Sequence, residues 1–221
     1  MKFYWVKTHW IIRKIFSSYI WKIPNTEKKI YLTFDDGPTQ EITNWTLEIL
    51  KSYQAKATFF CIGENIAKNP ALFQEILAQG HAVGNHTYNH LNGWHTSNSD
   101  YLNNVEQCNK VIDKNKNQAT IFSKLFRPPY GKLTPKQAKF LKGQGYKIIM
   151  WDILSADFDT TITPKKCAEN VLKNIQPGSI IIFHDSLKAS QNLKVALPET
   201  LEYLKMNGYK MEAIKYIPEP N

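Results

Sequence analysis

The stretch KIYLTFDDGP, residues 29–38, decides the fold. Its opening residues are apolar on successive positions rather than on alternate ones. That pattern suits a strand covered on both faces, as in a parallel α/β sheet. The strand ends on two adjacent carboxylates, Asp35 and Asp36, and then on a Gly-Pro turn. Two like charges side by side at a strand end are unfavourable unless each meets a positive partner.

Working outward, six more short runs read as strands: ATFFC (57–61), HAVG (81–84), KLFR (124–127), KIIMWD (147–152), SIIIFH (179–184) and YKMEAI (209–214). Helical segments lie between them with clear start and stop signals. Asn69-Pro70 opens one that Gly80 closes, Thr134-Pro135 opens one before Gly143 and Gly145, and Thr163-Pro164 opens one before Pro177-Gly178. A further helix is expected from Ser99 to about Lys114. Strand and helix thus alternate along the chain. The expectation is an α/β fold, a distorted (β/α) barrel of about seven parallel strands. No composition shift divides it, so residues 29–216 read as one domain.

Residues 1–28 read differently. Ile11/Ile12, Ile15/Phe16, Tyr19/Ile20 and Ile23 recur at helical spacing, with Arg13, Lys14 and Ser17 between them. The expectation is an amphipathic helix, packed on the domain or resting on a membrane surface. No small-residue cleavage site follows, and no apolar run approaches the roughly 20 residues of a spanning helix. A cytoplasmic and a membrane-surface setting both stay open.

Over 221 residues, 43% are hydrophobic and 21% charged, an ordinary globular balance. The net charge of +9 comes without a helix-turn-helix, zinc-finger or aromatic RNA-binding signature, so nucleic acid is not expected as a partner. The charge suits solvated helix faces, or attraction to an anionic polymer. Cys61, Cys108 and Cys167 are odd in number and far apart, which excludes a disulfide framework or a CxxC metal site. A monomer is expected.

The polar residues fall at the ends of the expected strands: Asp35 and Asp36, His86, Arg127, Asp152 and Asp157, His184 and Asp185. In a barrel of parallel strands these ends converge on one face. His86 and His90 are four apart, the spacing that puts two imidazoles on one side of a helical turn. With one aspartate they make a three-ligand site open to water, the pattern of a catalytic metal. Zinc is the default, and Co²⁺, Ni²⁺, Fe²⁺ or Mn²⁺ would also be accepted. The other aspartate would sit beside the activated water as its base. His9, His81 and His95 read as structural or surface residues.

TFDDGP, HTYNH, RPPYG, WDILSADF and IIIFHD, in that order, resemble the five motifs of the polysaccharide deacetylases, the NodB-homology or carbohydrate esterase family 4 group. The resemblance runs from about residue 30 to 214. It implies that Asp35 is the general base and that Asp36, His86 and His90 hold the metal. It further implies that Arg127 pairs with Asp35, that the Tyr130 N–H stabilises the oxyanion, and that His184 is the general acid, held by Asp157. Pro129, Phe158 and Ile182 would line the substrate pocket. Phe158 stands where the family usually has tryptophan, and Ile182 where it usually has leucine, so pocket width is open to difference. Asp152 and Asp185 match structural positions.

The implied activity is metal-dependent removal of N-acetyl groups from N-acetylglucosamine-containing carbohydrate, peptidoglycan or chitin-like. An O-acetyl carbohydrate esterase and a non-catalytic sugar-binding protein of the same fold are the alternatives. The non-haem iron oxygenases also use two histidines and a carboxylate, but on an antiparallel β fold that the helix punctuation argues against.

Overall fold

The computed structural model describes residues 4–116 and 124–215. Its strands are β1 (Lys29–Asp35), β2 (Ala57–Cys61), β3 (Ala82–Asn85), β4 (Leu125–Phe126), β5 (Lys147–Ile148), β6 (Ile153–Leu154), β7 (Ile180–His184) and β8 (Lys210–Met211). The helices are α1 (Trp10–Ile15), α2 (Gln40–Ser52), α3 (Gly63–Lys68), α4 (Pro70–Ala78), α5 (Asn98–Asn115), α6 (Pro135–Gly143), α7 (Pro164–Leu172) and α8 (Ser190–Met206).

All named strand pairs are parallel, in the order β5-β4-β3-β2-β1-β7-β6, with β8 pairing the start of β1. The strands at the two ends of that order, β5 and β6, are joined by only residues 149–152. Four residues cannot cross a flat sheet of seven strands, so the sheet must curl until its edges approach. The result is the expected distorted barrel.

The alternation along β1 explains why the opening stretch is apolar throughout. Ile30, Leu32 and Phe34 face outward into the main core with residues of α2, α7 and α8. There Phe34 stacks on its register partners Phe59, at 5.1 Å, and Phe183, at 6.0 Å. Tyr31, Thr33 and Asp35 point the other way, into the barrel, where Tyr31 packs in one buried cluster with Phe60, Leu125, Ile149 and Ile180. The sheet has no wet face.

Thr134 caps α6 in a reciprocal box with Gln137, and Thr163 caps α7 by accepting from the Lys166 N–H. Asn69 starts α4 but makes no cap bond. Its amide instead donates to the Pro38 and Asn65 carbonyls, tying the helix start to the turn after β1.

Three expectations need correction. KIIMWD is not one strand: β5 ends at Ile148 and a separate strand, β6, begins at Ile153. The chain between them leaves one edge of the sheet for the other, with Met150 N–H donating to Ile20 and Asp152 N–H to Ile180. YKMEAI contributes only Lys210–Met211.

The third concerns the N-terminal segment. Its helix is confined to Trp10–Ile15, because the barrel takes the backbone on both sides of it. Leu154 N–H donates to Val6, Thr8 N–H to Asp152, Ile20 N–H to Ile148 and Ile23 N–H to Gly178. A backbone spent on those bonds cannot continue a helix. The segment is a strap across the seam between β5 and β6, latched where Lys7 Nζ meets the buried Asp152 carboxylate at 2.6 Å. Trp5, Trp10, Ile11, Ile15 and Phe16 of the strap stay exposed. Among the described residues no helix is long and apolar enough to cross a membrane.

Candidate active site

Register alone brings the first groups together. Asp35 lies opposite His184 on β7, while His86 follows β3 and Arg127 follows β4. The strand ends open into a cleft of about 450 Å³, lined by Asp35, Asp36, His86, His90, Tyr130, Phe158, Ile182 and His184 among others.

Asp35 is buried, and its partner is the fully buried Arg127, whose Nη1 donates to Oδ1 at 2.7 Å. The contact is a single bond rather than the two-pronged pair that arginine can make. The rest of the guanidinium is committed elsewhere. Nη1 also donates to Thr33 Oγ1, Nε to the Ile149 carbonyl and Nη2 to the Met150 carbonyl, and the group lies 4.1 Å over the Phe60 ring. Arg127 therefore pins the β5–β6 crossing and the carboxylate at once, which leaves Asp35 Oδ2 on the His86 side, 3.8 Å from Nε2.

Asp36 has no such cation. Its neighbours are His90 Nε2 at 3.3 Å and His86 Nε2 at 3.8 Å. Burial, then the neighbouring His90, hold the His86 imidazole down to about 3, and burial lowers His90 as well. At neutral pH these rings are uncharged, so neither contact is an ion pair. His86 Nδ1 faces the Arg127 carbonyl at 2.7 Å, so that nitrogen carries the proton and Nε2 turns its lone pair towards Asp36. The buried Asp36 Oδ1 has no hydrogen-bond partner. Asp36 Oδ1 and the Nε2 atoms of His86 and His90 face one another, and the three residues offer ligand atoms within 4.8 Å of one another. The donor set fits a divalent cation with open positions for water.

The two histidines do not lie on a helical turn. Residues 86–90 form an irregular loop in which Thr87 (φ 64°) and His90 (φ 56°) are left-handed. Asn104 of α5 holds it, its side-chain oxygen accepting from Tyr88 N–H at 2.7 Å and Asn89 N–H at 3.0 Å. Asp36 is likewise left-handed, at φ 82°. The next residue must be glycine, because a Cβ there would lie 2.0 Å from Asp185 Oδ2. Asp185 takes Gly37 N–H and Thr43 Oγ1, and burial pushes its carboxyl up to about 7. Those bonds tie the turn after β1 to α2.

Across the cleft, Asp157 grips His184 twice, at Nδ1 and at the backbone N–H, both at 2.7 Å. Nδ1 is thereby the protonated nitrogen facing the carboxylate, and Nε2 is left for the cleft. Burial opposes the charge on this ring. The charge and hydrogen bond of Asp157, with Asp36 and Asp35 behind, outweigh it and raise His184 to about 9.

Tyr130 sits in a 3-10 turn at φ 59°, its exposed ring against His90 and its hydroxyl 3.1 Å from His90 Nδ1. The turn's own bonds use the Gly131 and Lys132 N–H groups, not that of Tyr130. Pro129 does not line the cleft: it is buried inside the turn that presents Tyr130. Phe158 and Ile182 do line it, the Phe158 ring meeting His184 edge-on at 5.2 Å. Sequence reasoning missed Tyr4, Trp151, Leu154, Ser186 and Lys188 on the wall. A separate β6 would have exposed Leu154, whereas no sequence signal marks Tyr4.

Comparison with known proteins finds a matching family and a matching fold. The family profile described as polysaccharide deacetylase matches residues 22–149. A peptidoglycan-N-acetylglucosamine deacetylase of Bacillus cereus is 34% identical over 195 residues, covering 88% of this chain and 90% of the relative. A solved peptidoglycan N-acetylglucosamine deacetylase, in complex with 4-naphthalen-1-yl-N-oxidanyl-benzamide, superposes with a TM-score of 0.83 at 32% identity, over 89% of this chain and 91% of the other. The carbohydrate esterase family 4 domain of a multidomain xylanase, from the hindgut metagenome of Trinervitermes trinervoides, gives 0.75 at 32% identity, over 86% and 88%. The chain belongs to the polysaccharide deacetylase family, the hydrolases of carbohydrate esterase family 4.

Proposed function

We propose that this chain is a metal-dependent N-deacetylase acting on N-acetylglucosamine units of peptidoglycan or a chitin-like oligomer. The observation that carries the reading is the division of the adjacent pair: Asp35 has the buried Arg127, while Asp36 has only two neutral imidazoles. One carboxylate is charge-balanced as a base and the other is left to a cation. The names of the similar proteins support the substrate class.

Asp36, His86 and His90 would hold a divalent metal, zinc in the first place, which when bound would supply Lewis acidity towards water and the acetyl carbonyl. Asp35 takes the proton from the attacking water. The Tyr130 N–H donates to the oxygen that gains charge as the carbonyl becomes tetrahedral. His184 gives its Nε2 proton to the amine as the C–N bond breaks, so that acetate and a free amino sugar leave. Trp151, Leu154, Phe158 and Ile182 give the acetyl methyl an apolar wall.

Acetate release from N-acetylglucosamine oligomers, measured with defined metals and after chelation, tests the proposal. Activity that is lost with the metal and returns with zinc supports it. Release from O-acetyl xylan alone would replace it with the esterase reading, and no release from either would leave a sugar-binding protein.

The acid has a pH signature. His184 is raised from its ordinary value near 6.5 to about 9, so the proton it donates is held below that pH and lost above it. Its contribution to stability likewise is complete below about 6.5 and disappears as pH rises through about 9. Asp157→Asn removes the main raising charge, so the alkaline limb of the pH–rate profile should move to lower pH, with the acidic limb unchanged.

The reading extends to the setting. The exposed Trp5, Trp10, Ile11, Ile15 and Phe16 accompany Lys14 and Lys22, while Lys7 and Arg13 are paired with Asp152, and no acidic residue precedes Glu27. We propose contact with an anionic membrane surface through this strap. Co-sedimentation with phosphatidylglycerol vesicles, absent with phosphatidylcholine alone, is the expected result.

A further inference from the structure

The strap that seals the seam also reaches the cleft. Tyr4 lies on its wall, together with Leu154, Phe158, Ile182 and His184. Its ring meets Phe158 edge-to-face at 5.9 Å and packs on the buried cluster of Leu154, Ala156 and Ile182. Its hydroxyl donates to Asp159 Oδ2 at 3.2 Å. Asp159 is itself buried, and its other oxygen accepts the Thr161 N–H and hydroxyl at 3.0 and 2.7 Å.

Tyr4 is therefore gripped at its tip, and the backbone behind it is gripped as well. Two residues on, the Val6 carbonyl accepts from Leu154 N–H at 2.8 Å. Lys7 Nζ reaches Asp152 Oδ2 at 2.6 Å and the Asn174 carbonyl at 2.9 Å, and Thr8 Oγ1 donates to the Trp151 carbonyl. Strap and wall share these anchors: the residues that Val6 to Thr8 bind, Trp151 to Leu154, include two that line the cleft. A side chain fixed this way is a wall rather than a passing surface group.

We propose that Tyr4 is a specificity-determining residue that limits the size of the acyl group the cleft accepts. The proposal rests on the deacetylase reading above. The chemical argument is one of volume. Phe158 and Ile182 make an apolar surface beside the acid His184, and the Tyr4 ring closes against Phe158. An acetyl methyl fits a small apolar recess, whereas each further methylene has to find room. An apolar pocket discriminates by about 10–200-fold per methylene when its walls do not yield. Removing an aromatic ring from the wall creates that room, and the acyl chain rather than the sugar should register it.

The test compares N-acetyl, N-propionyl and N-butyryl glucosamine oligomers as substrates of the metal-loaded full chain and of two variants. Tyr4→Ala should raise the propionyl-to-acetyl ratio of kcat/KM by about tenfold and the butyryl-to-acetyl ratio by at least as much. Tyr4→Phe keeps the ring and loses only the bond to Asp159, so its ratios should stay within about twofold of the parent. Thermal melts of both variants establish that they are folded. A Tyr4→Ala enzyme that loses activity on all three substrates equally, or keeps the parent's ratios, overturns the proposal: Tyr4 would then be structural or irrelevant. A parent chain that releases no acyl group from any of them overturns the deacetylase reading and this inference with it.

Discussion

Asp35→Asn is expected to bind metal as the parent does and to lose deacetylation by about 10²–10⁴-fold. The amide preserves the shape of the carboxylate, and its oxygen can still accept from Arg127 Nη1, so the cleft should keep its form. It cannot take the proton from water. Metal analysis beside acetate release separates the two functions of the pair. Loss of metal from Asp35→Asn would mean that the roles of Asp35 and Asp36 are reversed. Asp36→Asn is the mirror case, expected to lose metal first and activity as a consequence.

Arg127→Met should cost about 3–5 kcal/mol of stability, measured by urea unfolding. The size comes from what remains rather than from what is removed. Asp35 would be a buried carboxylate with no cation, and the Ile149 and Met150 carbonyls would lose their donors inside the barrel. The double variant Asp35→Asn/Arg127→Met removes the stranded charge. It should be more stable than Arg127→Met alone, with a coupling of about 0.5–3 kcal/mol. Strict additivity of the two changes would show that the ion pair contributes nothing to the fold.

The barrel was legible because its signals are local. Apolar runs such as ATFFC and SIIIFH are covered on both faces, and Thr134-Pro135 and Thr163-Pro164 start helices by their own chemistry. The candidate ligands Asp36, His86 and His90 were marked by the resemblance of their motifs, whereas the helical-turn argument from their spacing failed, because the loop that carries His86 and His90 is not helical. That geometry depends on Asn104, on the helix that follows the loop, accepting two backbone bonds. What stayed hidden was long-range. The break after Ile148 exists because the chain changes edges of the sheet, a fact about closure and not about KIIMWD. The strap's apolar spacing is helical, but helical spacing says nothing about which backbone groups a distant strand will claim. Tyr4 belongs to the same class: every residue of the cluster it packs against is more than a hundred positions away in sequence.

The strap also has a consequence for the order of assembly. Lys7 is 145 residues from the carboxylate that latches it and 167 from the Asn174 carbonyl. A chain made from its N-terminus must therefore hold the strap unpaired until Asp152, Asn174 and the strands around them have been synthesised. Closing so long a loop is entropically slow, which puts the strap among the last parts to settle. Until then the strap stays undocked, so the nascent protein offers a basic, aromatic-rich segment to its surroundings before it offers a finished cleft.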